Sequence, residues 1–122
     1  MKKRSCLFLI GLFSFVAAYS QTNIKLEDLK SHIGDSVTVC GKVYSGRYLQ
    51  SSNNSPTFLN IGAKYPDQLL TVVIWGDARK EFTGKPEDDY TNKEVCITGK
   101  VELYKDKPQI VIRKSSQLKL KE

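Results

Sequence analysis

A single histidine, His32, among 122 residues leaves the chain without the ligands for a His-based metal cluster. His32 falls at the end of a short helical pattern, where a surface residue is the simpler reading than a catalytic base. No G-x-S-x-G nucleophile turn occurs, and no glycine-rich loop of the kind that cradles phosphates. The carboxylates do not replace them. Asp88 and Asp89 are adjacent and would point apart in an extended loop, and with Glu87 they read as a solvated acidic run. Asp77 and Glu81 could share a helical face but read as surface charges. The chain is therefore not expected to be an enzyme, and no cofactor is expected. A long apolar run is missing too. The stretch from Cys6 to Val16, broken by Gly11 and Ser14, is shorter than the roughly 20 residues a helical membrane span requires.

The N-terminus instead has the order of an export signal. Lys2, Lys3 and Arg4 precede the apolar stretch, and Ala18 and Ser20 supply small residues before a cut ahead of Gln21. Residues 1–20 are expected to be a cleavable signal peptide and residues 21–122 a single periplasmic or secreted domain with no stable membrane anchor. An uncleaved anchor is the competing reading. A lipid anchor fits poorly, because Cys6 lies before the apolar run rather than after it. Removing the signal changes the charge. The whole chain carries 19 Lys+Arg against 13 Asp+Glu, a formal +6, and a sequence pI near 9.2 that suggests a polyanion partner. Without Lys2, Lys3 and Arg4 the balance is 16 against 13, an unremarkable +3. Any case for a polyanion then rests on where the charges lie. An apolar content of 40% and a charged content of 26% describe an ordinary folded domain.

Ile24 to Ile33 places Leu26, Leu29 and Ile33 at helical spacing, ended by Gly34. From Asp35 the period becomes two: Val37, Val39 and Val43 alternate with Thr38, Cys40 and Lys42, the pattern of a half-buried strand. Gly41 takes an inward slot, as at a bulge or bend. Ser45 to Pro56 is polar and reads as a flexible loop. Strands are expected at Thr57–Ile61, Leu69–Trp75, Glu94–Leu103 and Gln109–Arg113, with turns at Lys64–Asp67 and Lys105–Lys107. The third of these five strands is so apolar that both faces should be covered. Between it and the next, Ala78 to Phe82 suggests a helical turn, with Gly84 and Pro86 as breakers. The tail from Lys114 reads as polar and charged. Val37–Val43 and Val95–Val101 share the pattern apolar-x-apolar-x-Gly-Lys-Val, as if two strands met one curvature requirement in the same way.

These features predict an all-β fold: a small five-stranded barrel of the OB type, with a short N-terminal helix and a short helical segment between strands three and four. The segments VTVCGKVY, TFLNIG, YPDQLLTVVIW, VCITGKV and YKDKPQIVI, from about Asp35 to Leu118, resemble small exported bacterial OB-fold proteins related to nucleic-acid-binding OB domains. In such a barrel the first and fourth strands are antiparallel neighbours. Pairing Cys40 with Cys96 then sets Thr38 opposite Thr98, Val39 opposite Ile97 and Lys42 opposite Glu94, all favourable cross-strand pairs. A Cys40–Cys96 disulfide follows as the expectation in an oxidising compartment. Two unpaired thiols are the alternative, and two thiols without a nearby histidine do not make a metal site.

OB barrels bind extended ligands across the second and third strands, clamped by the loop after the first and the loop between the fourth and fifth. The first loop offers Tyr44, Arg47 and Tyr48, and the second Tyr104, Lys105 and Lys107. The surface between offers Phe58, Asn60, Lys64, Tyr65 and, as one of two readings, Trp75. Aromatics interleaved with cations suit single-stranded nucleic acid, through base stacking and phosphate contact. Each has a plainer reading: Phe58 and Trp75 as core, Tyr65 as a buttress for Pro66, the lysines as ordinary hairpin residues, and Asn60 as bonded to a loop. The expected partner is single-stranded nucleic acid or an oligonucleotide. The alternative is a non-catalytic envelope domain that binds protein or glycan.

Overall fold

The computed structural model describes residues 22–122, so the signal expected over residues 1–20 lies outside the described residues. The strands are Thr22–Ile24 (β1), Ser36–Tyr48 (β2), Thr57–Ile61 (β3), Leu70–Ile74 (β4), Glu94–Lys100 (β5), Glu102–Tyr104 (β6), Lys107–Val111 (β7) and Leu118–Leu120 (β8). They form one mixed sheet in the order β6-β7-β4-β3-β2-β5-β8, with β1 paired to β2. Among the described residues, only β1/β2 and β4/β7 are parallel. The fold is mostly β. Five strands are expected from the sequence; the sheet has eight, and its hydrogen-bonded path is open.

The additions have local causes. β1 and β8 are three residues each, too short to show a period. The charged tail is thus partly strand: Leu118 is buried and Lys119 pairs with Cys96. The expected strand from Glu94 to Leu103 divides at Val101, whose N–H donates to the Asp35 carbonyl and whose carbonyl accepts from Gly34 N–H. The predicted helix is a 3₁₀ segment, Leu26–His32, that buries Leu29 alone, while Ile24 belongs to β1 and Ile33 is exposed. Gly34 does end it, with φ +91°.

Alternation sets the core. Val37, Val39, Val43, Leu59, Ile61, Leu70, Val72, Ile74, Val95, Ile97 and Ile110 are fully buried on the inner face of their strands. Val73, on the opposite face, is buried too, but Thr71 on that face is only half-buried, so β4 is not fully covered on both sides. The bulge expected at Gly41 lies instead between Val43 and Ser45. Gly41 serves packing: a Cβ there would come 2.6 Å from Leu26 Cδ1 and 2.9 Å from Ile61 Cγ2. Gly99, its counterpart in the internal echo, would meet Ile110 Cγ2 at 2.6 Å. Both glycines make room for an apolar side chain from a neighbouring element.

The β2/β5 register matches the sequence expectation: Thr38 faces Thr98, Val39 faces Ile97, Lys42 faces Glu94, and Cys40 and Cys96 form a disulfide. The two threonine hydroxyls hydrogen-bond at 2.9 Å. Two short helices follow β4, Gly76–Arg79 (α1) and Pro86–Asp89 (α2). The acidic run is therefore not a solvated loop, and Pro86 begins a helix rather than breaking one, since a first-turn residue needs no N–H donor. The segment after Tyr48 is held by backbone bonds, Leu49 N–H to the Pro56 carbonyl and Gly76 N–H to the Asn54 carbonyl among them.

Candidate functional site

The register of β2, β3, β4, β7 and β6 builds the outer face of the sheet row by row. One row runs Arg47, Phe58, Val73, Val111. The next runs Ser45, Asn60, Thr71, Gln109, Glu102. Alternation beyond the strand ends adds Trp75, two residues after Val73, and Arg113, two after Val111. Phe58 and Trp75 are half-buried and Arg47 and Arg113 exposed, so aromatic surface lies between two cations. Continued alternation puts Trp75 on this face, and it is half-buried rather than enclosed in the core that its apolar strand suggests. Counting by two from Val73 is the signal that finds it. Arg113 escapes a sequence reading because it ends an apolar strand and begins a charged tail.

Asn60 is 7% exposed and its Nδ2 donates to Ser45 Oγ at 3.1 Å. Its partner is a side chain of the adjacent strand, not a loop backbone. Gln68 Nε2 donates to Thr71 Oγ1 at 3.0 Å in the same way. Ser45 and Thr71 each accept one bond and keep a hydroxyl proton to donate outward.

The remaining expected residues fall in three other places. Tyr44 lies beside the bulge under Lys42, whose Nζ is 4.8 Å from its ring centre, and lines a groove with Leu26 and Leu69. Tyr48 faces away from Arg47: the Arg79 guanidinium stacks 3.6 Å from its ring centre. Tyr104 and Lys105 occupy the exposed β6–β7 hairpin, with Lys105 Nζ 5.4 Å from the Tyr104 ring. Lys107 donates to the Pro66 carbonyl and so joins this hairpin to the turn carrying Lys64 and Tyr65. Tyr65 is 72% exposed and precedes a cis peptide bond to Pro66. The structure thus brings Arg47, Phe58 and Asn60 together on one face, and Lys64, Tyr65, Tyr104, Lys105 and Lys107 at one end. It keeps Tyr44 and Tyr48 apart from both.

Arg79 organises the cluster beneath. It donates to Thr57 Oγ1 at 2.7 Å and to both Glu87 carboxylate oxygens at 2.7 and 3.2 Å. Burial opposes ionisation of Glu87, but bonds from Arg79 outweigh it and the carboxyl lies below its ordinary pKa. The same hydrogen bond holds Arg79 above its ordinary value. This arrangement docks α2 under β2 and β3 and leaves Arg47 unpaired by the acidic run. Among the described residues, no group of three His, Cys, Asp or Glu side chains is placed to hold a metal ion. No helix there is long and apolar enough to cross a membrane.

The fold is OB-like. No family model and no curated protein matches the chain. Among solved structures it is similar to a chain assigned as an aspartyl-tRNA synthetase from Leishmania major Friedlin, with TM-score 0.52 and 15% identity, covering 86% of this chain and 22% of that one. It is also similar to a chain from the structure of yeast Stn1 and Ten1, with TM-score 0.59 and 11% identity, covering 85% of this chain and 64% of that one. At these identities the likeness concerns the fold alone.

Proposed function

We propose that this chain is an exported OB module that binds single-stranded nucleic acid across the outer face of β2, β3, β4 and β7. What supports the reading is Arg47 beside Phe58 on adjacent strands, with Trp75 and Arg113 added to the same face by continuing the alternation past Val73 and Val111. Likeness to a chain assigned as a tRNA synthetase favours the same class of ligand. The five barrel strands are β2, β3, β4, β7 and the β5–β6 pair read as one strand bent at Val101. Residues 1–20 are a cleaved signal, and the disulfide suits the oxidising compartment to which it would lead. The Tyr104–Lys107 hairpin and the turn at Lys64–Tyr65 clamp one end of the ligand, and Tyr48, stacked on Arg79, supports the loop at the other, while Tyr44 lies beside the β2 bulge away from that loop. The role is binding rather than catalysis.

Fluorescence anisotropy with a single-stranded oligonucleotide at rising salt tests this. Two or three phosphate contacts predict a log–log slope of roughly −1.4 to −2. Binding that ignores salt, or none at low salt, would transfer the face to an envelope protein or glycan. Arg47→Ala with Arg113→Ala should weaken binding about tenfold or more while thermal stability is kept.

A further inference from the structure

A groove of about 560 Å³ runs along the first half of β2, with the disulfide on its floor. Thr38, Cys40, Lys42 and Tyr44 line it, while Val37, Val39 and Val43, which alternate with them, are fully buried in the core. The side chain of Cys40 therefore faces the groove, and both cysteines are half-buried rather than enclosed. β1 and β5 flank β2 on opposite edges. The bridge leads from Cys40 toward β5, whereas Asn23, Lys25, Leu26 and Glu27 bound the groove on the β1 side. A nucleophile entering there meets Cys40 Sγ from the side away from Cys96, the approach that displacement of one sulfur by another requires.

On the far side, Lys119 pairs with Cys96 in register, which sets both side chains on the same face. A cation there favours Cys96 as the sulfur that leaves with the electron pair. The groove itself carries both signs of charge, Lys25 and Lys42 against Glu27 and Glu94. No ion pair among the described residues engages these four. A small ligand bearing both a carboxylate and an ammonium is what such a groove recognises.

We propose that Cys40 is a site of reversible thiolation by a small thiol carrying both charges, of the class of cysteine or glutathione. The ligand thiolate bonds to Cys40 Sγ as the Cys40–Cys96 bond breaks, and the electron pair departs on Cys96 as a thiolate beside Lys119. One disulfide replaces another, so no oxidant or reductant is consumed. Attack by Cys96 on the mixed disulfide reverses the step and releases the thiol. The site is independent of a nucleic-acid ligand, because neither Arg47 nor Phe58 lines the groove.

The test mixes the folded protein with cysteine, glutathione, mercaptoethanol, cysteamine or mercaptopropionate, and iodoacetamide then caps the freed thiolate. Peptide mass mapping should find the added thiol on Cys40 and the cap on Cys96. The reverse assignment overturns the proposal, as does a bridge that opens only after unfolding. Per unit of thiolate, cysteine and glutathione should react about fivefold faster than uncharged mercaptoethanol, cationic cysteamine and anionic mercaptopropionate. Lys25→Ala with Glu27→Ala, both at exposed positions, should erase that advantage. Lys119→Glu should slow every thiol by about threefold or more. Equal rates for all five thiols in the unaltered protein, or an advantage that survives the double variant, show that the groove does not select the ligand and overturn the site.

Discussion

Gly46 shows how one absent side chain sets the geometry beneath the outer face of the sheet. A Cβ at this position would lie 2.6 Å from the Glu87 carbonyl oxygen and 2.7 Å from its Cα, both backbone atoms that cannot rotate away. Gly46→Ala should therefore push α2 off β2 and lower stability by about 2–3 kcal/mol in urea unfolding. The hairpin tip gives the opposite sign. Asp106 holds φ +70° and Lys105 φ +50°, the left-handed pair of a two-residue hairpin turn. Asp106→Gly removes that strain and should raise stability by about 0.5–1 kcal/mol in the same measurement. A lower midpoint would mean that the carboxylate stabilises the turn by more than the strain costs. The turn itself is legible in the sequence, because Lys-Asp-Lys lies between alternating segments. The need for glycine at position 46 is not, since it depends on a helix contributed much later along the chain.

At the scale of elements, α2 owes its place to the Arg79–Glu87 pair rather than to apolar burial, since only Pro86 among its residues is buried. Both charged side chains are largely enclosed, 16% and 12% exposed. Removing one partner of such a pair leaves the other buried and uncompensated. Glu87→Gln should cost about 2 kcal/mol at neutral pH. The pH dependence follows from the direction of the shift. Glu87 titrates lower in the fold than in the unfolded chain, so its contribution is complete above the unfolded value near 4.3 and is lost as pH falls through the folded one. The gap between the original protein and Glu87→Gln should thus narrow below about pH 4, and a gap constant with pH would show that Glu87 acts by packing alone. Strands whose two faces differ, such as β2, are readable from alternation. α2 is not, because Pro86-Glu87-Asp88-Asp89 fits a loop or a first helical turn equally well until Arg79 is seen beside it.

For the whole molecule, β2 joins two regions of the sheet. Its first half pairs with β1 and β5 and carries the Cys40–Cys96 disulfide, while its second half pairs with β3 and carries Arg47. The disulfide is legible because valine alternation fixes the face, and threonine and charge pairs agree on the register. The aromatic face is half legible: Phe58 stands out in its short strand, but Trp75 and Arg113 require knowing where β4 and β7 lie side by side. The net charge of the chain predicts neither region. This separation can be tested by replacing Cys40 and Cys96 together with serine. The bridge closes a long loop, 56 residues in sequence separation, so its loss should cost about 2–4 kcal/mol of stability. The ladder from Ser36 to Lys42 remains to hold β2 against β5, and no residue of the aromatic face touches the bridge in register. Oligonucleotide affinity of the folded variant should therefore change by less than about twofold. If affinity falls in step with stability, β2 transmits strain from one half to the other, and the disulfide belongs to the binding site as well as to the fold.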